Sequence, residues 1–146
     1  MVRIVLGAIA GFIAWVTAWV GSEKALSALW PESYGAHQRA FEAALTHGGP
    51  FTADTTLLLV HVVLGSVISV MSGFLAALVA GDDRRAPLVL GFLLVALGVL
   101  KSVLSWPYVP LWYHVIFTAL LFPLAIMGGK LKRERSSASH ATSEAP

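Results

Sequence analysis

The chain contains no cysteine and few charged residues, and both absences narrow its chemistry. Without cysteine, the protein has no disulfide, no thiolate metal site and no cysteine nucleophile. Charged residues make up only 12% of the 146 residues, whereas 57% are hydrophobic; soluble domains average about 25% charged residues. The formal net charge of +2 is too small to indicate a nucleic-acid partner. This composition, with a mean hydropathy of +0.76, is typical of a chain that has lipid as its solvent.

Four long apolar stretches dominate the sequence. Each is close to the ~20 residues that a helix needs to cross a ~30 Å hydrocarbon core, where bare backbone groups find no hydrogen-bond partner. We therefore predict an all-α integral membrane four-helix bundle that forms a single domain over residues 1–131. The predicted helices cover about residues 4–29, 55–80, 86–104 and 111–128. We predict a short amphipathic helix in the first outer segment, residues 30–54, and a disordered cytoplasmic tail over residues 132–146.

The distribution of lysine and arginine predicts the orientation of these helices. With four crossings, one side of the membrane receives Arg3, Arg84, Arg85, Lys130, Lys132, Arg133 and Arg135. The other side receives only Lys24, Arg39 and Lys101. Because basic residues accumulate on the cytoplasmic side, we expect both termini in the cytoplasm of a bacterial cell and the protein in its plasma membrane. We expect the first helix to be retained; a cleaved signal peptide is the alternative.

Small residues recur on the helices at intervals that allow close approach. The first helix carries Gly7 and Gly11 on one face, and the second carries a stripe four residues apart, namely Gly65, Ser69, Gly73 and Ala77. In lipid, such stripes favour tight packing because no hydrophobic effect drives the helices together. The pattern predicts that the first two helices pack closely. It does not separate contacts within the chain from contacts in a homo-oligomer or with a membrane protein partner.

Three titratable residues lie on three different predicted helices in the outer part of the membrane. At ~1.5 Å per residue, His61, Lys101 and His114 all lie in the outer third, and each shares a helix face with a small or polar residue. Ionisable groups at such depth invite a functional hypothesis. Glu23 reaches a similar height, but its direction about 140° away from Ala18 excludes it from the predicted set.

These three residues support several interpretations. They could be interfacial, with Lys101 extending to water and the histidines among lipid headgroups. They could instead line a polar pocket for a small molecule or a lipid headgroup. A third alternative is a haem held by His61 and His114, although their depths differ by about 9 Å. The aromatic loop between the last two helices is either an anchor at the membrane interface or a lid or ligand platform beside His114, formed by Trp106, Tyr108 and Trp112.

No catalytic or metal-binding motif accompanies these residues. The sequence has no phosphate-binding glycine loop, no His-Glu-x-x-His and no nucleophile elbow. Small multidrug-resistance transporters have a similar size, but their hallmark, a glutamate within the first helix, is missing from Ile4–Val20. The leading hypothesis is a non-enzymatic bundle that binds a partner protein or lipid and needs no cofactor or metal. The alternatives are a small-molecule transporter or sensor and a haem-bearing electron carrier.

Overall fold

The computed structural model describes the backbone of residues 1–143 and the side chains of residues 1–132. All regular structure in this range is helical. The elements are α1 (Val2–Leu29), a π-helical turn (Pro31–Gly35), α2 (Ala36–His47), α3 (Thr55–Ala80), α4 (Arg85–Ser105) and α5 (Leu111–Ser143). Four of them, α1, α3, α4 and the Leu111–Lys132 part of α5, are long and apolar enough to span a membrane. The all-α prediction is thereby confirmed. Helices α1, α3 and α4 begin and end within two residues of the expected bounds, whereas α5 continues to Ser143, well past the expected end at residue 128.

The ends of the helices follow from local sequence. Pro31 terminates α1 and begins the π-helical turn, in which the Gly35 N–H donates to the Trp30 carbonyl over 3.0 Å. Asp54 caps α3, because its carboxylate accepts hydrogen bonds from the N–H groups of Thr56 and Leu57. At the other end of α3, Gly81 has a φ of 70°, which lets the chain turn at once into α4.

Helix α3 lies between α1 and α5 and packs extensively against both, while α4 packs against α5 and α1. Glycines bring these helices together. A Cβ atom added to Gly7 would lie 2.6 Å from the Ala76 carbonyl oxygen of α3, and one added to Gly11 would lie 2.9 Å from the Ser72 carbonyl oxygen. On a neighbouring face of α3, a Cβ on Gly73 would overlap the Ala125 carbonyl of α5. The small-residue stripes are therefore used for packing within the chain.

The outward faces of the long helices are apolar. Large side chains such as Ile13, Val63, Met71, Phe92 and Val103 are more than half exposed. Polar atoms turn inward instead: the Trp15 indole N–H donates to the buried Ser69 hydroxyl of α3 over 2.9 Å. An apolar exterior around a hydrogen-bonded interior is the arrangement that lipid requires.

The predicted disordered tail stays a prediction. Helix α5 extends to Ser143, the described side chains end at Lys132, and residues 144–146 lie outside the described part of the chain.

Candidate functional site

The two ends of the helix assembly differ in construction. One end, here called the α2 end, carries the π-helical turn, α2 and the α4–α5 connection. The other, the terminal end, carries the start of α1 and the α3–α4 turn. A cavity of about 600 Å³ opens at the α2 end between α1, α2, α3 and α4. Its polar lining residues are Glu23, Lys24, Ser27, His37, Gln38, Glu42, His61, Lys101, Ser105 and Tyr113, and its walls include Trp19, Leu58, Phe41 and Phe51. A volume of this size suits a small organic ligand.

Three side chains from three elements meet beside this cavity, and two of them, Glu23 and His61, line it. The Tyr34 hydroxyl, in the π-helical turn, donates to Glu23 Oε1 of α1 over 2.9 Å. His61 Nε2 of α3 lies 2.8 Å from the same carboxylate oxygen and 2.7 Å from the Tyr34 oxygen. All three side chains are mostly buried. The π-helical turn makes the arrangement, because it points Tyr34 back between α1 and α3.

One arrangement of protons satisfies these contacts. The Tyr34 hydroxyl donates to the Glu23 carboxylate, which as an anion only accepts. A hydrogen on His61 Nε2 lets the ring donate to the same oxygen, 2.8 Å away. Burial and the Glu23 carboxylate both raise the pKa of Tyr34, so its hydroxyl remains a donor at all physiological pH values. His61 Nδ1 is buried without a partner among the described residues.

Lys101 lies beside this triad and points inward. Its ammonium is 4.6 Å from the centre of the Trp19 ring and 5.8 Å from that of Phe117. Such contacts with ring faces are favourable cation–π interactions. Within the described side chains, no carboxylate lies within 4.0 Å of this ammonium. The structure thus places Lys101 in the cavity wall.

Helix α2 covers the cavity, and an aromatic cluster holds it in place. His37 and Phe41 of α2 pack against Phe51, with ring centres 4.9 and 5.3 Å apart. The Tyr108 hydroxyl of the α4–α5 connection donates to the Ala44 carbonyl over 2.9 Å. Partial burial against this cluster lowers the pKa of His37. Tyr108, expected in a ligand platform, here anchors the cover.

The inward side of α2 differs in detail from the sequence-based expectation. The pattern predicted one apolar side formed by Ala36, Ala40, Phe41, Ala44 and Leu45. In the structure, Ala40 and Leu45 are exposed, and His37 and Gln38 face the cavity. The difference arises because α2 is entered through a π-helical turn, which shifts the helix phase relative to its neighbours.

The remaining residues of the predicted site lie elsewhere. His114 stacks against Trp106 with ring centres 5.6 Å apart, and Trp112 packs edge-on against Tyr113. Of these four residues, only Tyr113 lines the cavity; His114, Trp106 and Trp112 do not. His61 and His114 therefore do not face a common space, and their arrangement does not fit a haem held between two histidines. No group of three or more histidine or acidic residues that could hold a metal occurs among the described residues.

Sequence reasoning missed Glu23, Tyr34 and Trp19 as members of the site. Glu23 is an acidic residue close to the end of an apolar helix, which is a costly position without a partner. The free-energy cost of burying an unpaired carboxylate was the feature of the sequence that could have predicted a partner for Glu23, such as His61. Tyr34 gave no comparable signal, because its position depends on the π-helical turn.

No protein-family model, no curated protein and no solved structure matches this chain. The interpretation of the site therefore comes from its geometry.

Proposed function

We propose that this chain is a multi-pass protein of the bacterial plasma membrane in which the four long helices form a bundle with both termini in the cytoplasm. The apolar exterior and the excess of lysine and arginine at the terminal end support this topology. The α2 end then faces outward.

Because the chain lacks cysteine, single introduced cysteines can report on this orientation. A membrane-impermeant maleimide should label Thr46→Cys in intact cells and Asp83→Cys only after lysis; the reverse pattern would contradict this orientation.

We further propose that the protein binds a small amphipathic molecule at the α2 end, as a carrier or sensor. The observation that supports this function is the cavity of about 600 Å³, which combines aromatic and aliphatic walls with a few inward polar groups. Ligand sites usually have this composition, with apolar walls for affinity and few polar groups for orientation. The covering helix α2, held mainly by aromatic contacts and one hydrogen bond, gives the ligand a movable entrance.

The geometry gives less support to the leading hypothesis from sequence, a bundle that binds a partner protein. That hypothesis rested in part on the small-residue stripes, together with the outer aromatic residues and the lack of a convincing catalytic set. Gly7 and Gly11 are occupied by α3, and Gly65 and Gly73 are occupied by α5, with Trp19 of α1 also close to Gly65. Lipid binding, the other part of the hypothesis, agrees with an amphipathic ligand in the cavity.

Thermal unfolding in phosphatidylcholine nanodiscs tests the binding function. Three probes with the same twelve-carbon chain and different heads, namely laurate, dodecanol and dodecyltrimethylammonium, cover anionic, neutral and cationic ligands. A ligand that binds only the native state stabilises it by about 2.7 kcal/mol at one hundred times its Kd. We expect at least one probe to raise the unfolding temperature in a saturable manner.

Two variants make this test specific to the cavity. Ser27→Phe places a ring in the cavity wall and should abolish the stabilisation. Ile13→Phe adds a ring on an exposed face of the same helix and should leave it unchanged. If no probe stabilises the wild-type protein, or if Ser27→Phe responds as Ile13→Phe does, the binding function is wrong.

A further inference from the structure

The two charged groups in the deep part of the cavity differ in how they are satisfied. Glu23 Oε1 already accepts one hydrogen bond from Tyr34, and His61 Nε2 lies within hydrogen-bond distance of the same oxygen. Lys101 has aromatic rings beside it, but no hydrogen bond or ion pair is formed by its ammonium among the described side chains. Cation–π contacts leave the N–H donors of this ammonium available to a ligand. The Glu23 carboxylate lines the same cavity but is already engaged by Tyr34 and His61, so Lys101 is the charged group of the deep cavity that is best placed to pair with an anionic ligand.

The surroundings of Lys101 determine what kind of anion fits. Trp19 and Phe117 lie on its inner side, and Leu58, Val109 and Tyr113 form the neighbouring wall. These surfaces are mainly apolar, so a fully hydrated inorganic anion would lose its water without gaining contacts. A ligand with one anionic head and an apolar body satisfies both features. A cationic ligand would face Lys101 with a like charge, which is unfavourable.

We propose that the cavity at the α2 end is specific for amphipathic monoanions, with the carboxylate or phosphate head paired to Lys101 Nζ and the apolar body against Trp19, Leu58 and Tyr113. This inference rests on the proposed binding function and names its ligand class. A soluble acyl carboxylate and an anionic phospholipid share this chemistry. The experiment below distinguishes these two sources.

The experiment monitors Trp19 directly by ¹⁹F NMR of 5-fluorotryptophan protein in phosphatidylcholine nanodiscs. Resonances are assigned with single Trp→Phe variants. Laurate should shift the Trp19 resonance in a saturable manner, whereas the exposed Trp30, which does not line the cavity, reports only on partitioning into the bilayer. Dodecanol and dodecyltrimethylammonium, with the same chain, should bind about tenfold or more weakly, since a charge-assisted hydrogen bond is lost.

Substitutions at two lysines of the same cavity provide the decisive comparison. Lys101→Met keeps the apolar stem and should weaken laurate binding about tenfold or more, while Lys101→Arg should retain it. Lys24→Met, which removes an exposed lysine at the rim, should weaken laurate binding less than threefold because exposed charges are screened.

Equal affinities for all three probes, with no effect of Lys101→Met, would overturn the anion specificity and leave the binding function intact. No response to any probe would overturn both.

Titration of phosphatidylglycerol into the nanodiscs distinguishes the two sources. If an anionic phospholipid is the occupant, phosphatidylglycerol without laurate should shift the Trp19 resonance and reduce the laurate response, and Lys101→Met should abolish both effects. If the occupant is a soluble amphipathic anion, phosphatidylglycerol should leave Trp19 unchanged while laurate still binds. An anionic lipid that shifts Trp19 equally in wild-type protein and Lys101→Met would contradict the role of Lys101.

Discussion

The terminal end and the α2 end of this molecule differ in the size of the side chains between their helices. At the terminal end, glycine and alanine allow backbones to touch: a Cβ on Gly73 would overlap the Ala125 carbonyl, and one on Gly128 would overlap the Val70 carbonyl. At the α2 end, large aromatic side chains line a cavity between the same helices. Close backbone contact at the terminal end favours one fixed arrangement of the helices. A short chain can thus combine tight backbone packing at one end with an open cavity at the other.

Disrupting the close backbone contact at the terminal end should have the largest effect on the free energy of unfolding. Gly73→Val adds a Cβ, which would overlap the Ala125 backbone, and two further methyl groups; a backbone cannot yield as a side chain could. We expect a loss of about 3 kcal/mol or more in the free energy of unfolding, measured by SDS titration in mixed micelles. Gly21→Ala is the control, because an added Cβ there meets nothing within 4 Å. It should stabilise helix α1 by about 0.5–1 kcal/mol, and a loss at Gly21 as large as that at Gly73 would contradict the account.

Removing the Tyr34 hydroxyl beside the cavity should have the next largest effect. Tyr34→Phe deletes the hydroxyl that donates to Glu23 and leaves a mostly buried carboxylate with one partner fewer. We expect a cost of about 1–3 kcal/mol in the same SDS titration. The double variant Tyr34→Phe/Glu23→Gln should cost less than the sum of the two single changes, because the residues share one network. Additive costs would show that the two side chains do not interact.

Loosening the cover should change stability less and local dynamics more. Tyr108→Phe removes the hydrogen bond to the Ala44 carbonyl but retains the ring that packs against Phe41 and Phe51. We expect a cost of about 0.5–1.5 kcal/mol. Hydrogen exchange should accelerate in α2 and remain unchanged in α3 near Gly73. Faster exchange throughout the molecule would indicate that the two ends are not independent.

The smallest effect is expected in the α3–α4 turn. Hydrogen bonds from the N–H groups of Arg85 and Arg84 lower the pKa of the Asp82 carboxyl. A lowered folded-state pKa means that this stabilisation is present above the unfolded-state pKa and is lost as the pH falls through the folded-state pKa. Because the site is solvated, we expect Asp82→Asn to cost only about 0.2–0.5 kcal/mol near neutral pH. The difference from wild type should vanish in acid; a difference that persists there would have another origin.

The sequence predicted the fold more completely than the site, for physical reasons. The bilayer core sets the length and apolarity of a spanning helix, so the four apolar stretches could be recognised from the sequence alone. The spacing between Lys101 and Gly98 also indicated the inward direction that the structure shows. The partners of Lys101 depend on the rotation of each helix about its axis, which tertiary packing determines.

Glu23 and His114 illustrate what the sequence could not supply. Counting from Ala18 pointed Glu23 away from the other polar groups, yet Ala18 is itself exposed and was the wrong reference for the inward face. His114 shares a depth range with Lys101, but the turn before α5 places Trp106 against its ring. Depth can be counted from a sequence, whereas side-chain direction near a helix end depends on the adjoining turn.

The central claim is that Lys101 points into the cavity and lies against Trp19. It is tested most directly by the ¹⁹F resonance of 5-fluorotryptophan at Trp19 in nanodiscs without ligand, compared between the wild-type protein and Lys101→Met. An ammonium 4.6 Å from the ring centre contributes a strong local field, so the account predicts a clear shift at Trp19 and none at Trp30. An unchanged Trp19 resonance would mean that Lys101 extends to water, and the proposed anion site would be contradicted.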